Sequence, residues 1–350
     1  MSTRPELATP PKVQRGERVA IVSPSWAGPG VFPDVHEISI KVLRDELGLV
    51  PVEYPTTRLV GASPRARAND VMAAFADPSI RAVLSSIGGA DQVTVLPFLD
   101  PDLFVENPKA FIGFSDNTNI LNWLWNLGIS SYHGGSTLIH LARPYGVHEV
   151  SLTSLRRALF ETGTFDIEQL ERFTDLNCRW EEPATMLEPL ATSPEPGWLW
   201  HNATNVIAGP TWGGNLEILH WNLAVNRWIL PNDAYSGCVL VLETSEEMPS
   251  AQEVFRMLRN MGERGLLEQF PALVMAKPKC WRNDQQLTEG ERDAFREAQR
   301  SAVLEAMATY NPSAMIVFGP DLGHTDPQSV IPFGGLMTVD GPGRRITANY

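Results

Sequence analysis

An α/β fold in two parts is predicted by three features of the sequence. Short apolar runs alternate with helix-patterned segments from the N-terminus to about residue 150, the rhythm breaks between about residues 165 and 205, and it returns afterwards. The first run, Arg18-Val-Ala-Ile-Val-Ser23, reads as a buried strand ending in the turn Pro24-Ser25-Trp26-Ala27-Gly28-Pro29-Gly30. Residues 34–47 put Val35, Val42 and Leu43 on one helical side, and Val50-Pro-Val-Glu-Tyr54 is the next strand. Ser63-Pro64 pairs an N-cap residue with proline at the first helical position and opens a helix through Phe75. Ile80 to Ile87 is strand-like and stops at Gly88-Gly89; residues 91–99 suit a helix, Ala110 to Phe114 a strand and residues 116–127 a helix.

Such a βαβα order predicts a parallel sheet covered on both faces, with ligands at the carboxyl ends of its strands. Ser23 to Gly30, Gly88-Gly89 and Ser115 all fall at those ends. Pro183, Pro189, Pro194 and Pro196, with Trp180, Trp198 and Trp200 among polar residues, mark a linker or an elaborated loop. Regular signals resume with the strand Val239-Leu-Val-Leu242. The capping box Ser250-Ala-Gln-Glu253 then opens a helix bearing Val254, Leu258 and Met261 on one face. The strand Leu273-Val-Met-Ala276, a second capping box at residues 288–291 and the strand Ala314-Met-Ile-Val-Phe318 follow. The expected division is therefore an N-terminal α/β domain over 1–165, a linker or loop over 166–205 and a C-terminal α/β domain over 206–350.

Composition narrows the function classes. With 28 Lys plus Arg against 41 Asp plus Glu, the 350-residue chain carries a net charge of −13, which argues against nucleic acid or an anionic membrane as the main partner. Cys178, Cys238 and Cys280 are too few and too scattered for a disulfide framework or a zinc cage. Residues 1–18 are polar and proline-rich with no apolar stretch like a signal peptide, and no window is apolar enough to span a membrane, so a cytoplasmic location is expected.

Four places carry chemistry. Ser115, in Gly113-Phe-Ser115-Asp116 at a strand-to-helix junction, either caps the helix or projects as a nucleophile toward backbone N–H donors. Asn117 stands where a complete Gly-x-Ser-x-Gly elbow has its last glycine. Gly88-Gly89 is either a plain tight turn or a close approach of backbone to ligand. Glu243 ends an apolar strand, and His324 lies in the loop Gly319-Pro-Asp-Leu-Gly-His324-Thr-Asp-Pro327. That pairing suits a general base oriented by a carboxylate, and a solvated glutamate with an ordinary loop histidine is the plain alternative. Asp321, His324 and Asp326 could also be imagined around a metal, but no His or Cys cluster supports it. Trp180, Trp198, Trp200 and Trp212 interleave with polar residues, as stacking or packing side chains.

In order and spacing, these segments resemble the LD-carboxypeptidase family of serine peptidases, from Val19-Ala-Ile-Val-Ser-Pro24 to Ile331-Pro-Phe-Gly334. Gly209-Pro-Thr-Trp-Gly-Gly-Asn-Leu-Glu217, Leu242-Glu-Thr-Ser-Glu-Glu247, Gly323-His-Thr-Asp-Pro327 and the run Met257 to Leu266 are similar to its branch of microcin C self-immunity hydrolases. The resemblance implies a flavodoxin-like parallel sheet in the N-terminal domain, a smaller C-terminal α/β domain and an active site between them. It implies a Ser-Glu-His triad of Ser115, Glu243 and His324, an oxyanion hole from the amides of Gly89 and Asp116, no cofactor, and a homodimer. Gly88, Trp180, Trp212 and Lys277 are the expected substrate-binding residues, with Trp180 stacking on a nucleobase. The expected reaction cleaves an amide bond in a peptidyl or aminoacyl nucleotide. Release of D-alanine from murein tetrapeptide is the enzymatic alternative, and a non-catalytic nucleotide- or peptide-binding protein is the alternative of another class.

Overall fold

The computed structural model describes residues 4–182, 186, 188–282 and 284–350; Pro183, one of the prolines that break the pattern, lies outside them. The N-terminal part lays down β1 (Arg18–Val22), β2 (Val50–Glu53), β3 (Ile80–Ser85), β4 (Ala110–Gly113) and β5 (Ser131–His133), all parallel. β3 and β4 are buried along nearly their whole length because helices cover both faces, which is why they read as continuous apolar runs. The intervening helices include α1 (Pro33–Asp45), α2 (Pro64–Ala76) and α3 (Thr118–Asn126). Ser63 does cap α2, accepting from the Ala66 amide at 3.2 Å. The sheet order β2-β1-β3-β4-β5 is flavodoxin-like and reverses between β1 and β3.

Two local expectations shift. Residues 91–99 form two short tight turns, Gln92–Thr94 and Leu96–Phe98, rather than one helix; Pro97 has no N–H to continue an α-helical ladder. The helix expected from residue 116 begins at Thr118, because Ser115–Asn117 winds as a tighter turn.

The remaining strands of three or more residues, among those described, are β6 (Thr164–Asp166), β7 (Leu199–His201), β8 (Val206–Asn215), β9 (Val239–Glu243), β10 (Ala272–Met275), β11 (Met315–Phe318), β12 (Ile331–Phe333), β13 (Leu336–Asp340) and β14 (Arg345–Asn349). Eight of them form a mixed sheet in the order β6-β14-β13-β8-β9-β10-β11-β7, with β8 to β11 parallel. The segment 166–205 is thus partly woven into this sheet through β7. β12 leaves it and pairs antiparallel with β5 of the first sheet, while β6 pairs with β14 of the second. Both capping boxes form: Ser250 with Glu253 at the start of α6 (Ala251–Glu263), and Thr288 with Glu291 at the start of α7 (Glu289–Tyr310). Two more helices, α4 (Glu149–Phe160) and α5 (Leu216–Val225), also pack the sheets. Among the described residues no helix is long and apolar enough to cross a membrane.

β8 carries glycines for steric reasons. Gly214 has φ 103°, and a Cβ there would fall 2.6 Å from the Thr118 Oγ1 at the start of α3. Trp212, expected to bind substrate, is instead a core residue on this strand. It is 1% exposed and lies flat on Phe270 (centroids 5.6 Å, 8° between planes), with Tyr235 at 4.3 Å. Position 212 reads as interleaved with polar residues only because its neighbours are small ones buried with it. Trp212→Ala is therefore expected to cost about 3–5 kcal/mol of stability, read as a lowered urea midpoint.

Candidate active site

Three loops at the carboxyl ends of the first sheet converge on Ser115. Its φ of 62° puts a non-glycine residue in the left-handed region, a conformation costing about 1–3 kcal/mol that the surroundings must impose. Glycines make the turn possible: a Cβ on Gly113 would sit 2.9 Å from that of Asn117, and one on Gly88 would sit 3.0 Å from the Ser115 Oγ. Asp116 binds the neighbouring loop to the turn. Its Oδ2 accepts from the Asp91 and Gln92 amides, each at 3.0 Å, and its Oδ1 accepts from Asn119 Nδ2 at 2.9 Å. Burial pushes this carboxyl up from its ordinary value, opposed by those donors. Arg67 continues the network, pairing with Asp91 at 2.7 Å and donating to the carbonyls of Pro24 and Ser25. The loops after β1, β3 and β4 thus form one rigid cradle.

The second sheet brings a carboxylate and an imidazole to the same place. Glu243 ends β9 fully buried; its Oε1 accepts from Asn215 Nδ2 at 3.0 Å and its Oε2 from His324 Nδ1 at 2.6 Å. The close approach requires Gly323, since a Cβ there would lie 2.8 Å from that of Glu243. Gln328 fastens the histidine loop across the two sheets, donating to the Gly323 carbonyl at 2.7 Å and accepting from the Gly135 amide at 3.0 Å. Phe114, the residue before Ser115, packs on the His324 ring at 4.9 Å. It also contacts the buried rings of His133 and His140, which desolvation pushes down, His140 to about 3, leaving both neutral.

Glu246 was not among the expected site residues, yet its Oε2 lies 3.0 Å from His324 Nε2. Burial pushes the His324 imidazole down, but Glu243 and Glu246 flanking both ring nitrogens outweigh it and hold its pKa at about 10. In this state the ring is an imidazolium capped on the nitrogen that a general base would use. Position 246, inside a Glu-Glu pair after a strand, carries no sequence signal of that contact.

Ser115, Gly88, Gly89, Glu246, Lys279 and His324 line one cavity of about 570 Å³. It adjoins a second, of about 320 Å³, walled by Trp26, Phe32, Trp180 and Trp281 with Arg143. Trp180 packs edge-on against Phe32 at 5.2 Å. Lys277, expected to bind substrate, does not reach these cavities: it is buried in ion pairs with Glu195 and with Asp321 at 2.8 Å, and over the Phe173 ring. Lys279 is the lysine that faces the cavity, donating to Asn177 Oδ1 and the His324 carbonyl, each at 2.9 Å. Two carboxylates already neutralise Lys277, so the loop after β10 presents the later lysine. Asp321 and Asp326, the other carboxylates of the histidine loop, pair with Lys277 and with Arg143 at 3.1 Å. Among the described residues no group of three or more His, Cys, Asp or Glu could hold a metal ion.

With this geometry in hand, sequence comparison defines the class. The LD-carboxypeptidase N-terminal domain matches residues 19–134 and the LD-carboxypeptidase C-terminal domain matches residues 208–339. The chain belongs to the LD-carboxypeptidase family and is by that membership a peptidase-class hydrolase. A Vibrio cholerae protein with a provisional carboxypeptidase name is 24% identical over 93% of this chain and 92% of its own. The microcin C7 self-immunity protein MccF of Escherichia coli is 22% identical over 77% of this chain and 74% of its own. In structure, MccF in complex with aspartyl sulfamoyl adenosine superposes with a TM-score of 0.83 at 20% identity, covering 99% of each chain. An MccF-like protein from Streptococcus pneumoniae in complex with AMP gives 0.83 at 25% identity, covering 96% of this chain and 99% of that one.

Proposed function

We propose that this protein is a serine hydrolase cleaving the amide that joins an acyl residue to a nucleotide, a detoxifying activity of the microcin-immunity kind. The observation that carries the reading is the 2.6 Å Glu243–His324 pair, delivered by the second sheet into the cavity where Ser115 stands strained at a strand end. Once Glu246 swings away and the imidazolium gives up its Nε2 proton to solvent, neutral His324 accepts the Ser115 hydroxyl proton as Oγ bonds to the carbonyl carbon. Glu243 holds the ring through Nδ1 and stabilises the imidazolium. The amides of Gly89 and Asp116 receive the oxyanion, a role suited to two loops that the Asp116 carboxylate ties together. Collapse breaks the C–N bond, and the imidazolium protonates the departing nitrogen. Water then adds to the acyl-enzyme carbonyl, giving one proton to His324, which returns it to Ser115 as the Oγ–C bond breaks.

The leaving group's chemistry is read from the adjoining walls. Trp26, Phe32, Trp180 and Trp281 offer stacking faces for a nucleobase, worth about 1–3 kcal/mol per stacked base. Lys279, which burial lowers to about 8 and which stays protonated at neutral pH, and Arg143 suit the anionic linkage of a phosphoramidate or acyl sulfamate. Incubation with an aminoacyl sulfamoyl adenosine, followed by mass spectrometry, is expected to yield the free amino acid and sulfamoyl adenosine. No cleavage of it, with release of D-alanine from murein tetrapeptide, would transfer the same catalytic groups to the cell-wall substrate.

A further inference from the structure

Ser115 also lines a third cavity, of about 500 Å³, whose walls are acidic, with Trp221 among them. Glu217, Glu246, Glu247 and Glu253 line it against one arginine, Arg256, with His220 beside them. Glu253 is engaged in the capping box of α6 next to Arg256. Glu247 reaches outward, 3.9 Å from Arg282. Glu217 is the informative one. Its Oε1 accepts from the Ser245 amide at 2.9 Å and hydroxyl at 2.6 Å, while its Oε2 is buried with no hydrogen-bond partner in the structure. A buried carboxylate oxygen left unmatched beside an open cavity costs free energy unless a donor arrives from outside.

We propose that this cavity receives a cationic group of the acyl residue, an ammonium or guanidinium that completes Glu217 with Glu246 and Glu247 around it. The inference rests on the hydrolase reading, and its geometry follows from Ser115 lining both spaces. With the reacting carbon at Oγ, a leaving group lying toward Trp180 leaves the acyl side chain and α-amine facing Glu217. Burial, and then the nearby Glu243, push the Glu217 carboxyl up to about 7, so an entering cation also converts a half-protonated acid into a full charge partner. Two sources supply such a group: a lysine- or arginine-like side chain, or the free α-amine that every aminoacyl nucleotide carries.

The test is a matched series of sulfamoyl adenosines bearing lysyl, arginyl, leucyl, glutamyl and Nα-acetyl-lysyl groups, compared by kcat/KM on the wild type and on Glu217→Gln and Glu247→Gln. The expected result is lysyl and arginyl above leucyl by about tenfold and glutamyl below it, with each variant shrinking the lysyl-to-leucyl ratio. Glu247 is exposed, so its variant remains readable if Glu217→Gln folds poorly. A lysyl-over-leucyl preference that survives Nα-acetylation places the cation on the side chain; equal turnover of lysyl and leucyl substrates that collapses on Nα-acetylation places it on the α-amine. Turnover indifferent both to side-chain charge and to Nα-acetylation, or a glutamyl preference, overturns the inference while leaving the hydrolase reading intact. Turnover of none overturns that reading and this one with it.

Discussion

Ser115→Ala is expected to lower turnover by about 10⁴-fold or more while leaving the thermal unfolding midpoint within a few degrees of wild type. The size follows from the unit character of a nucleophile and its base: once the attacking oxygen is gone, an oriented histidine has nothing to deprotonate. Retention of the fold follows from how the turn is held. Asp116, Asn119, Gln92 and Arg67 supply its hydrogen bonds, and Gly88 and Gly113 supply its room. Alanine keeps the Cβ and its left-handed strain, whereas Ser115→Gly relieves it and is expected to be as inactive yet slightly more stable. Steady-state hydrolysis alongside a thermal melt separates the two effects. Wild-type turnover in the alanine variant would sink the nucleophile assignment.

Glu246→Gln is expected to move the rising limb of the kcat/KM–pH profile toward neutrality by about 1–3 units. With carboxylates on both nitrogens the imidazole titrates at about 10, so the neutral base is scarce at pH 7 and rate climbs through the alkaline range. Removing one negative charge removes one of the two contributions that raise this value, leaving Glu243 to orient the ring. The stability sign is opposite. A histidine raised above its ordinary value stabilises the fold fully below about 6.5, and that contribution fades as pH rises toward 10. The variant should therefore lose most stability in acid and little in alkali, while gaining rate near neutrality. Superimposable pH–rate profiles for the two proteins would show that Glu246 does not govern the base. A cation seated beside Glu217 would compete for the same carboxylate, so that substrate charge and catalytic readiness meet at one residue.

Much of this arrangement was legible in the sequence, for identifiable reasons. β1, β3, β4 and β9 are covered on both faces, so burial writes itself as uninterrupted apolar runs, and the residues just past such runs emerge at a common edge. Both capping boxes were readable because their chemistry is confined to four consecutive residues. β8 was hidden, since Gly209, Pro210, Gly213 and Gly214 look like a loop until neighbouring backbones explain the missing side chains. Lys277 and Lys279 differ only in what lies opposite them, two carboxylates in one case and the cavity in the other. Asn215, which both caps α5 and steers Glu243, and Glu246 likewise take their roles from partners distant in the chain or across the cleft.

The exchange of edge strands sets how this molecule can move. β12 is stitched to β5 and β6 to β14, so each lobe ends in a ladder whose other side belongs to the opposite half of the chain. A jaw-like hinge opening would have to tear backbone hydrogen bonds at those seams. Large rigid-body excursions of one sheet against the other are thereby suppressed, and entry of a ligand past His324 is left to a local event, rotation of Glu246. Ser115, Glu243 and His324 then keep their mutual spacing whichever way Glu246 points, because the frame that carries them is sewn shut at both ends.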